Sequence, residues 1–298
     1  MKRNTVTLVA LLIVLLVIAY FVTQKPGERS TSGLGTPLLT LDSVAVNKID
    51  IQSPKSHIVL EKRGVDWFLQ EPISYRADQT VVANFIHAVK DLRIQSIVSS
   101  KPDKFPVFQV DSASGTRLTI GETGGTKDSM IVGKVGASYS ELYVRKFPSD
   151  NVDAVDPAIQ YQINREPKEW RDKTIFKTPK DNIKEVRYQY GDTTFTLANQ
   201  DSVWRIGKDI VKTSDVNGIL GWLSNLQADD FIDTTLDPTP RVTALVSYAG
   251  EQIRFAFLKS QNKYAVQTSS SPQWFVVETW KANSILKRKR DLLKTAKK

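Results

Sequence analysis

The residues with the most chemical potential are acids. Asp229 and Asp230, with Asp233 and Asp237 close behind, form the densest carboxylate cluster in the chain. Paired carboxylates can divide acid and base roles or hold a cation. The spacing here is not that of a calcium loop, which alternates acids around a glycine and ends in Glu. The cluster therefore reads first as an acidic connection between a helix and a strand. Two histidines, His57 and His87, are the only ones present. Neither has an Asp, Glu or Ser placed beside it in a pattern that general-base or metal chemistry needs. With no cysteine in the chain, thiol catalysis, Cys-ligated zinc, iron–sulfur clusters and disulfides are excluded.

Two motif-like stretches fail on spacing. Gly121–Lys127, GETGGTK, lacks the G-x-x-x-x-G-K-[ST] order of a phosphate loop and sits between two short strands, so it reads as a hairpin turn. Ser284 and Lys287 match Ser-x-x-Lys but lie in a basic closing helix without companion motifs. No catalytic residue, cofactor or metal ligand is expected, and the chain reads as a non-enzyme. Trp67, Trp204, Trp222 and Trp274 could line a glycan groove, yet most fall at core-facing positions. A glycan- or peptide-binding module, or an extracytoplasmic hydrolase acting through Asp229 and Asp230, is the competing reading.

Charge points elsewhere. The 298 residues carry a net charge of +9, but the excess sits at the ends: Lys2 and Arg3, and the segment after residue 280, rich in Lys and Arg with Asp291 its lone acid. The body between them is neutral, so the basic pI implies no nucleic-acid face. Lys287-Arg288-Lys289-Arg290 is the densest cationic run. It suits anionic lipid headgroups or an acidic partner, and Asp229 and Asp230 offer the complementary sign. These six residues are the expected contact sites.

Val6–Val22 is an apolar run of seventeen residues behind Lys2 and Arg3, spanning ~26 Å as a helix. It exceeds an ordinary signal-peptide core and lacks a small-x-small cleavage site, so it is expected to be an uncleaved single-pass anchor. The charge bias places the body outside the cytoplasm, periplasmic in a Gram-negative cell. The expected division is 1–23 cytoplasmic stub and transmembrane anchor, 24–40 flexible tether, 41–178 first unit and 179–298 second unit.

The body is duplicated. At a constant offset of 137, Ile49 meets Val186, Ile58 meets Phe195, Leu60 meets Leu197 and Trp67 meets Trp204. Continuing without a gap, Asp78 meets Asp215, Phe85 meets Trp222, Ile86 meets Leu223 and Val89 meets Leu226. Leu118 and Ile120 correspond on the same offset to Phe255 and Phe257. Each copy reads as alternating strands, a Trp-bearing strand, an Asp-capped amphipathic helix, further strands and a closing helix, Asp153–Ile163 or Glu278–Leu286. The expected class is α+β: two homologous units of mostly antiparallel sheet with packed helices, preceded by one transmembrane helix.

The Trp170-Arg171-Asp172-Lys173 turn, the two units with a Trp strand, and the single amino-terminal anchor together resemble a bacterial family of unknown function. Its members are found beside gliding-motility-type ABC transporter components. The resemblance covers residues 40–295. It implies an extracytoplasmic body and transporter subunits as partners, and it carries no catalytic residue onto this chain.

Overall fold

The structure is a computed structural model that describes residue 13 and residues 33–234 and 241–294. The expected anchor Val6–Val22 and the tether up to residue 32 lie outside the described residues, Ile13 apart. Among the described residues no helix is long and apolar enough to cross a membrane. The chain divides into two compact units, Met1–Pro167 and Lys168–Lys298.

Unit one runs β1 (Val46–Gln52), β2 (His57–Arg63), β3 (Asp66–Glu71), β4 (Tyr75–Arg76), α1 (Gln79–Lys90) and β5 (Ser96–Ser99). It continues with α2 (Phe105–Phe108), β6 (Thr116–Glu122), β7 (Lys127–Val135), β8 (Leu142–Lys146), β9 (Val152–Val155) and α3 (Ile159–Ile163). Nine strands form one antiparallel sheet in the order β4-β3-β2-β1-β6-β7-β8-β9-β5. Because β4 and β5 sit on opposite edges, the chain between them must cross a sheet face. α1 makes that crossing and buries Val82, Phe85, Ile86 and Val89. Its first turn is closed by Asp78, whose carboxylate accepts from the amides of Thr80 at 2.9 Å and Val81 at 3.1 Å. Gln79 then clips the helix to β3, accepting from the Trp67 amide at 2.8 Å and donating to the Trp67 carbonyl at 3.1 Å.

Unit two runs β10 (Thr174–Lys177), β11 (Glu185–Tyr190), β12 (Thr194–Gln200), β13 (Val203–Ile206), β14 (Asp209–Ile210), α4 (Thr213–Leu223), β15 (Asn225–Gln227) and β16 (Asp230–Ile232). β17 (Val242–Tyr248), β18 (Glu251–Leu258), β19 (Lys263–Thr268), β20 (Trp274–Glu278), α5 (Thr279–Ile285) and α6 (Lys289–Lys294) complete it. Its nine-stranded sheet, β14-β13-β12-β11-β17-β18-β19-β20-β16, repeats the topology of unit one strand for strand.

The expected α+β class is corrected by these two large sheets: the fold is β-rich. Asp153–Ile163, expected as a helix, begins as strand β9, and only Ile159–Ile163 is helical. All four residues of β9 are buried, so the strand loses the alternation that normally marks one. Asp230–Ile232, expected as a connection, is likewise an edge strand paired with β20.

Superposing the pairings also corrects the repeat. The offset of 137 holds through β1–β3 and β11–β13, where Ile49 faces Leu60 and Val186 faces Leu197. After the Trp strand it drops by three residues. The amide of Ala77 donates to the Trp67 carbonyl at 2.9 Å, and that of Val211 to the Trp204 carbonyl at 2.9 Å. The buried stripe Val82, Phe85, Ile86, Val89 therefore matches Val216, Ile219, Leu220, Leu223. Asp215 lies inside the first turn of α4 instead of capping it; the N-cap is Lys212, without a side-chain bond. Leu118 and Ile120, on β6, correspond to β17, not to Phe255 and Phe257 on β18.

The segment expected as tether is in part structural. Leu38 and Leu39 are 2% and 1% exposed. The Leu38 amide donates to the Leu92 carbonyl at 2.9 Å, and Pro37 bridges Arg93. In unit two the same place is held by β10, paired with β15. Each unit thus opens with a segment laid beside the residues that follow its crossing helix, an isolated bridge in unit one and a short strand in unit two. Leu39→Ala removes a fully buried side chain and is expected to destabilise unit one by about 3 kcal/mol in denaturant melts; a tether position would show no change.

Candidate functional site

The acidic connection is anchored at every carboxylate the structure describes. The Asp229 side chain accepts from the Lys281 ammonium at 2.6 Å and from the Glu278 amide at 2.9 Å. Lys281 is buried on α5 and also donates to the Gln227 carbonyl at 3.2 Å. Asp229 therefore ties the start of the closing helix to the end of β15. Asp230 accepts from the Phe231 amide at 2.9 Å and from Lys168 at 3.2 Å. Partial burial pushes its carboxyl upward, but that amide and the Lys168 charge outweigh it and hold the group below the usual range.

Asp233 receives the Arg171 guanidinium at 2.8 Å to each carboxylate oxygen. Arg171 is 1% exposed, lies 3.6 Å from the Phe231 ring centroid, and reaches Gln273 at 3.4 Å. Asp237 lies outside the described residues. With cations supplied by Lys168, Arg171 and Lys281, the cluster is a set of structural ion pairs, and no group of three metal-ligating side chains occurs among the described residues.

The basic run begins from a fixed base. The Arg288 guanidinium sits 3.9 Å from the centroid of Tyr190 and pairs with Asp192 at 2.9 Å. The Tyr190 hydroxyl donates to the Lys287 carbonyl at 2.7 Å. Burial raises the Tyr190 phenol, although the Arg288 charge works against it, so the hydroxyl stays a donor at any ordinary pH. Lys289 and Arg290 are exposed beyond this clamp, Arg290 standing 3.6 Å from Asp291. With Arg288, Asp192, Thr193 and Leu293 they border an open cleft of about 600 Å³. Arg171 and Arg290 are each followed by an aspartate but differ in setting: the first is buried in unit two, the second is exposed.

The remaining candidates have local roles. His57 pairs with Asp50 at 3.0 Å across β1 and β2 on an exposed face, and His87 is exposed on α1. Gly124 and Gly125 take φ of 100° and 91° in the β6–β7 turn, a conformation glycine adopts freely. The Ser284 hydroxyl donates to the Trp280 carbonyl at 2.9 Å. Trp67 is buried, while Trp204 and Trp222 pack against the unit-two core.

The acid that sequence reading passed over is Asp153. It lies on β9, 4% exposed, with Ile97 and Val144 opposite it on the neighbouring strands. Its Oδ1 has no hydrogen-bond partner. Pairing places Phe275 at the equivalent position of unit two, opposite Phe231. Desolvation raises the Asp153 carboxyl to about 6. An acid lone among apolar residues in a strand was the available signal.

A family model described as a domain of unknown function, DUF4340, matches residues 67–244, from the Trp strand of unit one into β17 of unit two. The chain belongs to this family. No curated protein and no solved structure matches it.

Two variants test these assignments. Asp229→Ala leaves the Lys281 charge buried without its partner and is expected to cost roughly 3 kcal/mol of stability. Asp153→Asn removes a group bound to its proton more tightly in the folded state than in the unfolded one. The parent loses stability as pH rises from about 4 through about 6, so the variant's advantage should grow over that window and level off near 3 kcal/mol. Parallel urea melts at pH 4 and pH 7.5 measure it.

Proposed function

We propose that this member of the DUF4340 family is a non-catalytic accessory or scaffold protein of the cell envelope. In this reading the apolar run Val6–Val22 holds it at a membrane, and its body lies outside the cytoplasm. The basic edge Lys287–Arg290 makes the contact, with anionic lipid or with an acidic partner protein. The resemblance to proteins found beside gliding-motility-type ABC transporter components supports transporter subunits as that partner.

The observation that carries the reading is the uneven use of charge in unit two. Asp229, Asp230 and Asp233 each meet a Lys or Arg within the fold. That argues against a hydrolase working through Asp229 or Asp230, since each carboxylate already accepts from a lysine ammonium and a backbone amide of the fold. At the basic edge Lys289 has no ion pair among the described residues, and Arg288 and Arg290 pair with exposed acids, Asp192 and Asp291. Arg288 is held between Tyr190 and Asp192, and a side chain ordered before contact lowers the entropy lost on binding.

Lys289→Glu with Arg290→Glu reverses the two charges beyond the Arg288 clamp and leaves that clamp intact. The full-length variant should melt like the parent yet recover fewer partners in affinity purification from solubilised membranes. The loss should be larger at low salt than at high salt. Equal recovery at both salts would assign the edge to solvent.

A further inference from the structure

Unit two also carries a cleft that shares Lys287 with the basic run and includes none of the acids of the acidic connection. It holds about 410 Å³, within the roughly 300–1,000 Å³ typical of small-molecule sites. Ser214, Asp215, Gly218 and Trp222 line it from α4, at spacings that share one helix face. Ser284 and Lys287 line it from the closing segment.

Three features distinguish it from a surface crease. Asp215 and Lys287 carry opposite charges, but neither side chain has an ion pair or hydrogen bond among the described residues. Trp222 forms an apolar wall, held edge-on to Trp280 with ring centroids 5.4 Å apart at 76°. Trp280 is itself 59% exposed, so indole surface continues past the cleft. Gly218, an exposed residue of the lining, presents no side chain to the cleft. A Cβ there would meet nothing within 4 Å, so the fold has room for a side chain that the sequence withholds. Glycine weakens a helix interior relative to almost any other residue.

We propose that this cleft binds a neutral carbohydrate, with a pyranose ring against Trp222 and its hydroxyls shared among Asp215, Lys287, Ser214 and Ser284. A pyranose has an apolar C–H face, which suits an indole, and a rim of hydroxyls that both donate and accept. Around the cleft a carboxylate accepts, an ammonium donates, the Ser214 hydroxyl does both, and the Ser284 hydroxyl, which donates to the Trp280 carbonyl, accepts. Asp291, also at the cleft, is 3.6 Å from Arg290, which offsets its charge. The lining thus lacks the one-signed charge that a strongly ionic ligand would need.

The test uses full-length protein in a detergent without a sugar headgroup. The probes are glucose, galactose, N-acetylglucosamine and their β-linked trisaccharides, followed by tryptophan fluorescence. At least one probe should give a saturable change with a Kd in the low-millimolar range or tighter. Gly218→Leu adds bulk to the lining and should weaken that binding at least tenfold while melting at or above the parent temperature. Asp215→Asn should weaken it comparably, and it decides alone if Gly218→Leu melts lower. Lys289→Glu, at a residue that does not line the cleft, should leave sugar binding unchanged, which separates this site from the exposed end of the basic run. Absence of a response to every probe, or parental binding in both cleft variants, overturns the proposal.

Discussion

A guanidinium that has left water sets the terms for unit two. Arg171 is 1% exposed, beside the fully buried Trp170, and its charge cannot be shed because arginine does not deprotonate in proteins. A buried charge of this kind is tolerated only with a partner and further hydrogen bonds. Asp233 supplies the partner, Phe231 the ring beneath it and Gln273 a further acceptor. Those three come from the β16 region and the start of β20, so one side chain at the opening of the unit gathers its far edge. β10, immediately after Arg171, then lies along β15, with Phe176 opposite Leu226.

The same constraint explains why so little ionic chemistry is left over. Each cation buried in unit two requires an acid, and the acids that look catalytic in sequence are the ones spent this way: Asp233 on Arg171 and Asp229 on Lys281. Unit one has the same topology but fills it differently. At the offset that aligns the opening strands, Arg171 corresponds to Leu34, which is 43% exposed. Asp153, conversely, sits where unit two has Phe275. Duplication preserved the strand order and the helix crossing; the polar insertions into the two cores are private to each copy.

Much of the architecture could be read from the residues. Period-two alternation located β1–β3 and β11–β13, and Trp67 with Trp204 set their offset. The helix register could not be read, for a geometric reason. The turn after the Trp strand is three residues shorter in unit two, and a slip of three along a helix lands on the same apolar stripe. Trp222 therefore looks as good a match for Phe85 as Ile219 does. The opening segment of unit one escaped because Thr36-Pro37-Leu38-Leu39-Thr40 sits in a stretch whose Gly, Ser and Pro content resembles a linker. Of the site, the basic run was visible as a charge cluster. The Tyr190–Arg288 clamp was not, since its partners are 98 positions apart in the chain.

If the buried guanidinium organises unit two, its removal must free the strand that follows it. Amide hydrogen exchange across Thr174–Lys177 in Arg171→Ala, compared with the parent protein, measures this directly. Loss of protection in Thr174–Lys177 and in Asp230–Ile232, with β1–β9 of unit one unchanged, is the expected result. Parental protection in both segments would contradict the role assigned to Arg171.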